Sequence, residues 1–191
     1  MATNCDINRG IAELSCLDAV SGIKNIYLAN YADDYNFTTV SDATSGHVIT
    51  TLGTLGTTGT TGEFVYKFAT KNTGNSFQET SNTSRDNGTS NFGTSSTIII
   101  TKVSQYKQYL MKQIVKGRPI AFLELNSGQI LALGIGNGCD ITYTAGVTGG
   151  DGLNGYTWTI VTQFEREPFY VLTDSAAQAL KNLVSPDNIN D

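Results

Sequence analysis

Residues 97–135 read TIIITKVSQYKQYLMKQIVKGRPIAFLELNSGQILALGI, and this stretch decides the fold. Residues 97–103 form a β-branched run of the kind that favours a strand. Ser104 follows as an N-cap, its hydroxyl placed to accept an orphan N–H of the first helical turn. Tyr106, Leu110 and Ile114 then recur at i, i+4 and i+8, with Met111 and Val115 beside them, which is the spacing of an amphipathic helix over about 104–116. Lys112 and Lys116 fall off that stripe near the helix C-terminus, where the macrodipole favours cations. Lys107 falls on it, so its stem can pack while its amine reaches water. Gly117 is the expected C-cap and Pro119 prevents continuation. Residues 120–125 and 129–135 are two strands joined by Asn126-Ser127-Gly128, a hairpin signal.

Working outward, residues 23–31 (IKNIYLANY) carry apolar side chains on both alternating sets, as in a strand covered on two sides. Residues 36–40, 63–71, 140–144 and 169–172 read as further strands. Residues 155–163 alternate Tyr156, Trp158, Ile160 and Thr162 against Thr157, Thr159 and Val161. Ile7, Ile11, Leu14 and Leu17 have the spacing of a short leading helix. Asp174 is the expected cap of a C-terminal helix through Val184, ended by Pro186. About nine strands and two or three helices, with turn signals at regular intervals, predict a mainly β (α+β) fold. The architecture is an antiparallel β-sandwich or barrel with one flanking helix at about 104–116 and a short C-terminal helix. At 191 residues, a single domain over 1–191 is the expectation.

Thr, Ser, Asn and Gly make up 76 of the 191 residues, while only 15% are charged and 39% are hydrophobic. That excludes a disordered chain, which pairs high charge with few apolar residues, and a coiled coil. The polar residues concentrate at 41–62, 72–92 and 145–154. Residues 41–62 (SDATSGHVITTLGTLGTTGTTG) are low in complexity, and we expect a long polar loop that orders on assembly. Residues 72–92 are expected as a second long polar loop, within a possible long hairpin over 63–103 whose polar tip, 78–92, turns at Asp86-Asn87-Gly88. The candidate assembly positions are therefore His47, Thr54, Thr57, Thr58, Asp86, Asn87, Asp151 and Asn154. Tyr106, Leu110 and Ile114 are the candidates on the outer helix.

The net charge of −5 and pI of about 4.8 exclude a basic nucleic-acid footprint and attraction to an anionic membrane. No apolar run reaches the ~20 residues of a membrane span, and the N-terminus lacks a secretory pattern. Cys5, Cys16 and Cys139 are expected as reduced thiols.

Catalytic chemistry is sparse. His47 is the single histidine and reads as a solvated loop residue, although pairing with a cysteine would make a nucleophile. Gly134-Ile135-Gly136-Asn137-Gly138 imitates a dinucleotide fingerprint, but a strand rather than a helix follows, so a tight turn is expected. Asp151 lacks the alternating carboxylates of a calcium loop. Glu165 and Glu167 read as a solvated rim, and Trp158 as core or interface rather than a sugar platform. No catalytic, metal or cofactor site is expected, and the chain reads as a non-enzyme.

Across residues 97–169, well under half the chain, the order of features carries a resemblance. The helix ends Lys116-Gly117-Arg118-Pro119, and the hairpin crosses Asn126-Ser127-Gly128. The next strand ends in the Gly134–Gly138 turn. A Gly-rich loop with Gly150-Asp151, the strand start Asn154-Gly155-Tyr156-Thr157, and Glu167-Pro168-Phe169 follow. This pattern resembles virion structural proteins of tailed phages of Bacteroidota-type hosts, particularly tail tube proteins. The resemblance implies a β-sandwich that assembles with itself, made in the host cytoplasm and residing in the virion tail. Its hexameric rings stack into a tube joined to other tail and neck proteins, and DNA passes through without specific binding. Alternatives are a neck, connector or capsid-decoration protein, a soluble carbohydrate-binding β-sandwich using Trp158, and a cysteine hydrolase using Cys16 or Cys139 with His47.

Overall fold

The computed structural model describes residues 21–31, 35–42, 44–56, 65–71, 73–148 and 152–185. In chain order these form β1 (Ile23–Ala29), β2 (Thr38–Asp42), β3 (Gly46–Thr51), β4 (Tyr66–Ala69), β5 (Ser76–Ser84), β6 (Thr89–Thr101), α1 (Gln105–Ile114), β7 (Ile120–Leu125), β8 (Ile130–Leu133), β9 (Asp140–Val147), β10 (Asn154–Glu165), β11 (Tyr170–Leu172) and α2 (Asp174–Asn182). A 3-10 turn, Gly53–Gly56, follows β3.

Two sheets result. One has seven strands in the order β2-β3-β11-β8-β7-β1-β4, the other four in the order β5-β6-β10-β9. All pairings are antiparallel except β11 with β3. The expected β-sandwich with flanking helices is what the chain forms.

The two faces of the seven-stranded sheet explain why β1, β7 and β8 are apolar at almost every position. One face packs Ile26, Leu28, Ala121, Leu123 and Leu133 against Ile98, Ile100, Tyr156, Trp158 and Ile160 of the four-stranded sheet. The other packs Tyr27, Phe122, Ile130 and Ala132 against Ala176, Leu180 and Leu183 of the α2 region. The order of layers is thus four strands, seven strands, helix. A strand buried on both faces has no polar alternation to show.

Helix α1 caps the sandwich at one side. Ser104 accepts from Lys107 N–H as expected, but the C-cap is Val115 rather than Gly117. The buried stripe is centred on Met111, flanked by half-buried Lys107, Leu110 and Ile114, while Tyr106 is 42% exposed. The stripe is therefore rotated away from Tyr106. Lys107 lays its stem along that face and reaches the Thr101 carbonyl with Nζ at 3.2 Å. In α2 the N-cap is Thr173, with no side-chain capping bond, and Asp174 is the first helical residue, where its charge still meets the positive helix end.

Two expected loops are largely strand. Within 41–62, residues 46–51 are β3, hydrogen-bonded to β2 and, in parallel, to β11. Within 72–92, residues 76–84 and 89–92 belong to β5 and β6. Both are hairpins because partner strands satisfy their backbones, but the second is β5–β6 alone: β4 does not join the expected 63–103 hairpin and pairs instead with β1 in the other sheet. Thr, Ser and Asn are adequate for that wherever one face meets water.

Candidate assembly interface

The four-stranded sheet hides one face and shows the other. Cross-strand register aligns Ser76, Thr97, Thr159 and Thr142 in one row. The next row is Gln78, Ser95, Val161 and Asp140, and a further row holds Ile99, Thr157 and Thr144. These alternate with the core positions, so they share the outward side. Among the described strand residues of that face there is one charge, Asp140, and no Lys or Arg. The result is a hydroxyl-rich, nearly neutral surface.

The inward side carries α1. Trp158 Nε1 donates to Met111 Sδ at 2.9 Å, Tyr156 O–H to Gln108 Oε1 at 3.2 Å, and Gln108 Nε2 to the Tyr143 hydroxyl at 3.1 Å. Lys112, on the helix, and Lys116, just past its C-cap, are exposed, and that helix is held against the opposite side of the sheet from the hydroxyl face.

The strand order ends on β5 and β9, and no described strand pairs beyond either. Such edges present unpaired N–H and C=O groups as templates for another chain. The β5–β6 pair also runs past its neighbours: β10 last meets β6 at Phe92, whereas β5 continues beside β6 from Asn82 to Ser84, opposite Asn91 to Thr89. An isolated two-stranded ribbon is marginal in water, so this overhang gains from a further surface.

At that end of β10 the ladder breaks between Thr162 and Glu165, and Phe164 adopts φ 59°. The bulge turns its ring outward, 73% exposed. Beside it lies an open cavity of about 390 Å³ lined by Phe92, Ile135, Glu165, Glu167, Phe169 and Tyr170, among others. Glu165 accepts from the Gly136 and Asn137 N–H groups, both at 3.2 Å, and Asn137 Nδ2 donates to the Phe164 carbonyl. Burial pushes the Glu165 carboxyl upward against those bonds. Arg118 donates to the Asn137 carbonyl and stands over the Tyr31 ring. The turn itself requires glycine: at Gly134, φ 72°, an added Cβ would lie 2.6 Å from Cys139 Sγ. This is the tight turn expected for residues 134–138.

The candidate residues are dispersed. His47 lies on β3, stacked on Tyr170 at 3.9 Å, with its ring nitrogens 3.0 Å from Ser41 Oγ and 3.2 Å from the Pro168 carbonyl. It is thus a half-buried strand residue rather than a solvated loop one. Thr54 is in the 3-10 turn; Thr57, Thr58 and Asp151 lie outside the described residues. Asp86 and Asn87 form the exposed ribbon tip. Asn154 opens β10, where its backbone carbonyl and Oδ1 accept from Lys102 and Val103 N–H. Leu110 and Ile114 line a larger groove of about 940 Å³ between α1 and β4, with Tyr106 at its rim.

Two sites of possible chemistry are accounted for structurally. Trp158 is fully buried, which removes it as a sugar platform. Cys139 is fully buried and burial pushes its thiol up to about 12, so it carries no reactive thiolate. Cys5 and Cys16 lie outside the described residues. Among the described residues no group of three or more His, Cys, Asp or Glu is placed to hold a metal, and no helix is long and apolar enough to cross a membrane.

One buried charge was not anticipated. Glu124 of β7 accepts from Asn25 Nδ2 at 2.6 Å and Tyr27 O–H at 2.7 Å and pairs with Lys181 Nζ of α2 at 2.9 Å. Burial alone would raise its carboxyl, but these partners outweigh it and hold the group at about 2. The available signal was a lone Glu in the apolar run IAFLEL. No family model, curated protein or solved structure matches the chain.

Proposed function

We propose that this chain is a structural subunit of a phage tail tube, closing laterally into rings through the β5 and β9 edges. One observation carries the reading: a four-stranded sheet whose two edge strands pair with no further described strand, and whose outward face is hydroxyl-rich and free of Lys and Arg among the described strand residues. Pairing of β9 in one copy with β5 in the next extends the sheet without a break. Six copies, the number the resemblance implies, close a barrel about 45–52 Å across between opposite backbones, at ~4.8 Å per strand and a 35–45° tilt. That bore admits a DNA duplex.

The chemistry of the face suits passage rather than binding. Phosphate contacts from Lys and Arg supply most nonspecific affinity for DNA, and a lining of Thr and Ser has none to offer. Location in the virion tail follows from this reading. The direct test is the native mass of the concentrated protein. A discrete species of six 20.4 kDa chains, or stacks of it, supports the proposal. A monomer at every concentration overturns it.

A further inference from the structure

The two non-glycine residues with left-handed backbone among the described residues are Lys102, φ 66°, and Phe164, φ 59°. They sit at opposite ends of the same strand pair. Lys102 directly follows β6, where it bonds the first residue of β10; Phe164 is the penultimate residue of β10, at the register break beside which Glu165 faces Phe92 near the start of β6. Non-glycine residues held in that region concentrate at functional positions. At both ends the unusual backbone accompanies an outward side chain.

The ends are complementary. The Lys102 end shows Val103 at 38% exposure and Val147 at 72%, with Lys107 close behind through its bond to Thr101. No described acidic residue lies there; Asp151, in the β9–β10 connection, is outside the described residues. The Phe164 end holds the aromatic cavity and four carboxylates, Glu79, Asp140, Glu165 and Glu167, against Arg118 and Arg166. Among the described residues, one end therefore offers two exposed valines beside Lys102, the other an aromatic recess with an acidic excess.

We infer that the Lys102–Val103 end of one copy docks into the Phe164 cavity of the next, a head-to-tail contact along the strand direction. Two different patches meet, so the contact does not close on itself and propagates as a stack. The aliphatic knobs enter the recess and Lys102 faces the carboxylates, which sets polarity as well as attraction. The β10 span of 12 residues fixes the repeat at no more than about 40 Å along the strands. The inference names the stacking surfaces of the tube reading and rests on it for the biological role only; the contact itself does not require rings.

The test is oxidative cross-linking of the full chain with Cys5 and Cys16 replaced by Ser. The double variant V103C/F164C is compared with each single variant. A head-to-tail contact gives a ladder of linear multimers from the double variant and monomer from both singles. K102E lowers the ladder about tenfold, and adding E167K restores it. A dimer from F164C alone, or no ladder above the single variants, overturns the inference. A ladder without ring closure sustains it while removing the tube reading, so the two fail separately.

Discussion

Lys181 Nζ lies 2.9 Å from Glu124 Oε1, and this ion pair joins α2 to the middle of the seven-stranded sheet. Asn25 and Tyr27, two residues apart on β1, occupy the other carboxylate oxygen. Removing the cation leaves a nearly buried carboxylate with neutral donors only. K181M should therefore destabilise the fold by ~1–2 kcal/mol, less than for a fully enclosed pair because Lys181 is 38% exposed. Urea unfolding of the two proteins at neutral pH measures this.

The same carboxylate sets an acid limit. Its folded pKa, about 2, is depressed below the ordinary 4.5, so its contribution is complete above pH 4.5 and is lost as pH falls from there toward 2. The full shift corresponds to at most about 3 kcal/mol. Glu165, whose carboxyl is raised, acts in the opposite sense and is common to both proteins compared. Stability curves of wild type and E124Q should converge between pH 4.5 and 2; parallel curves there contradict the assignment.

Met111 is the one fully buried residue of α1, and Trp158 meets it with Nε1 at 2.9 Å. M111A should cost ~2–4 kcal/mol, combining lost burial with a cavity beneath the helix. Trp158 is the single tryptophan, so its emission reports the site: blue-shifted and shielded from acrylamide in wild type, red-shifted and quenchable in the variant.

The strand–helix–hairpin of residues 97–135 was legible because each piece carries its own local signal. Ser104 bonds its own helix, Gly128 (φ 92°) and Gly134 turn in place, and the apolar runs are long enough for strands covered on both faces. What could not be read depends on distant partners. β3 pairs with neighbouring β2, but it joins the large sheet only because Val48 and Ile49 also pair with Val171 and Leu172, more than a hundred residues on. Ile49 is its one fully buried side chain, too little periodicity to show among threonines. The ribbon from Asn82 to Asn91 has no core on either side, so its polar composition looked like loop. Glu124 acquires meaning only once register sets Asn25 beside it and α2 brings Lys181.

The hydroxyl face makes a charge prediction. T159K places a cation at the centre of the outward side of the four-stranded sheet. The assembled variant should bind a short DNA duplex, with affinity falling steeply between 50 and 200 mM salt. Wild type should bind none under the same conditions. Fluorescence anisotropy of a labelled duplex decides; equal binding by both proteins removes the face from any role in DNA passage.

Negative-stain imaging of the concentrated wild-type protein tests lateral closure through β5 and β9 most directly. The account predicts rings, or tubes of stacked rings, with a stain-filled bore narrower than the ~45–52 Å barrel backbone. A uniform field of single particles of monomer size, unchanged with concentration, contradicts it.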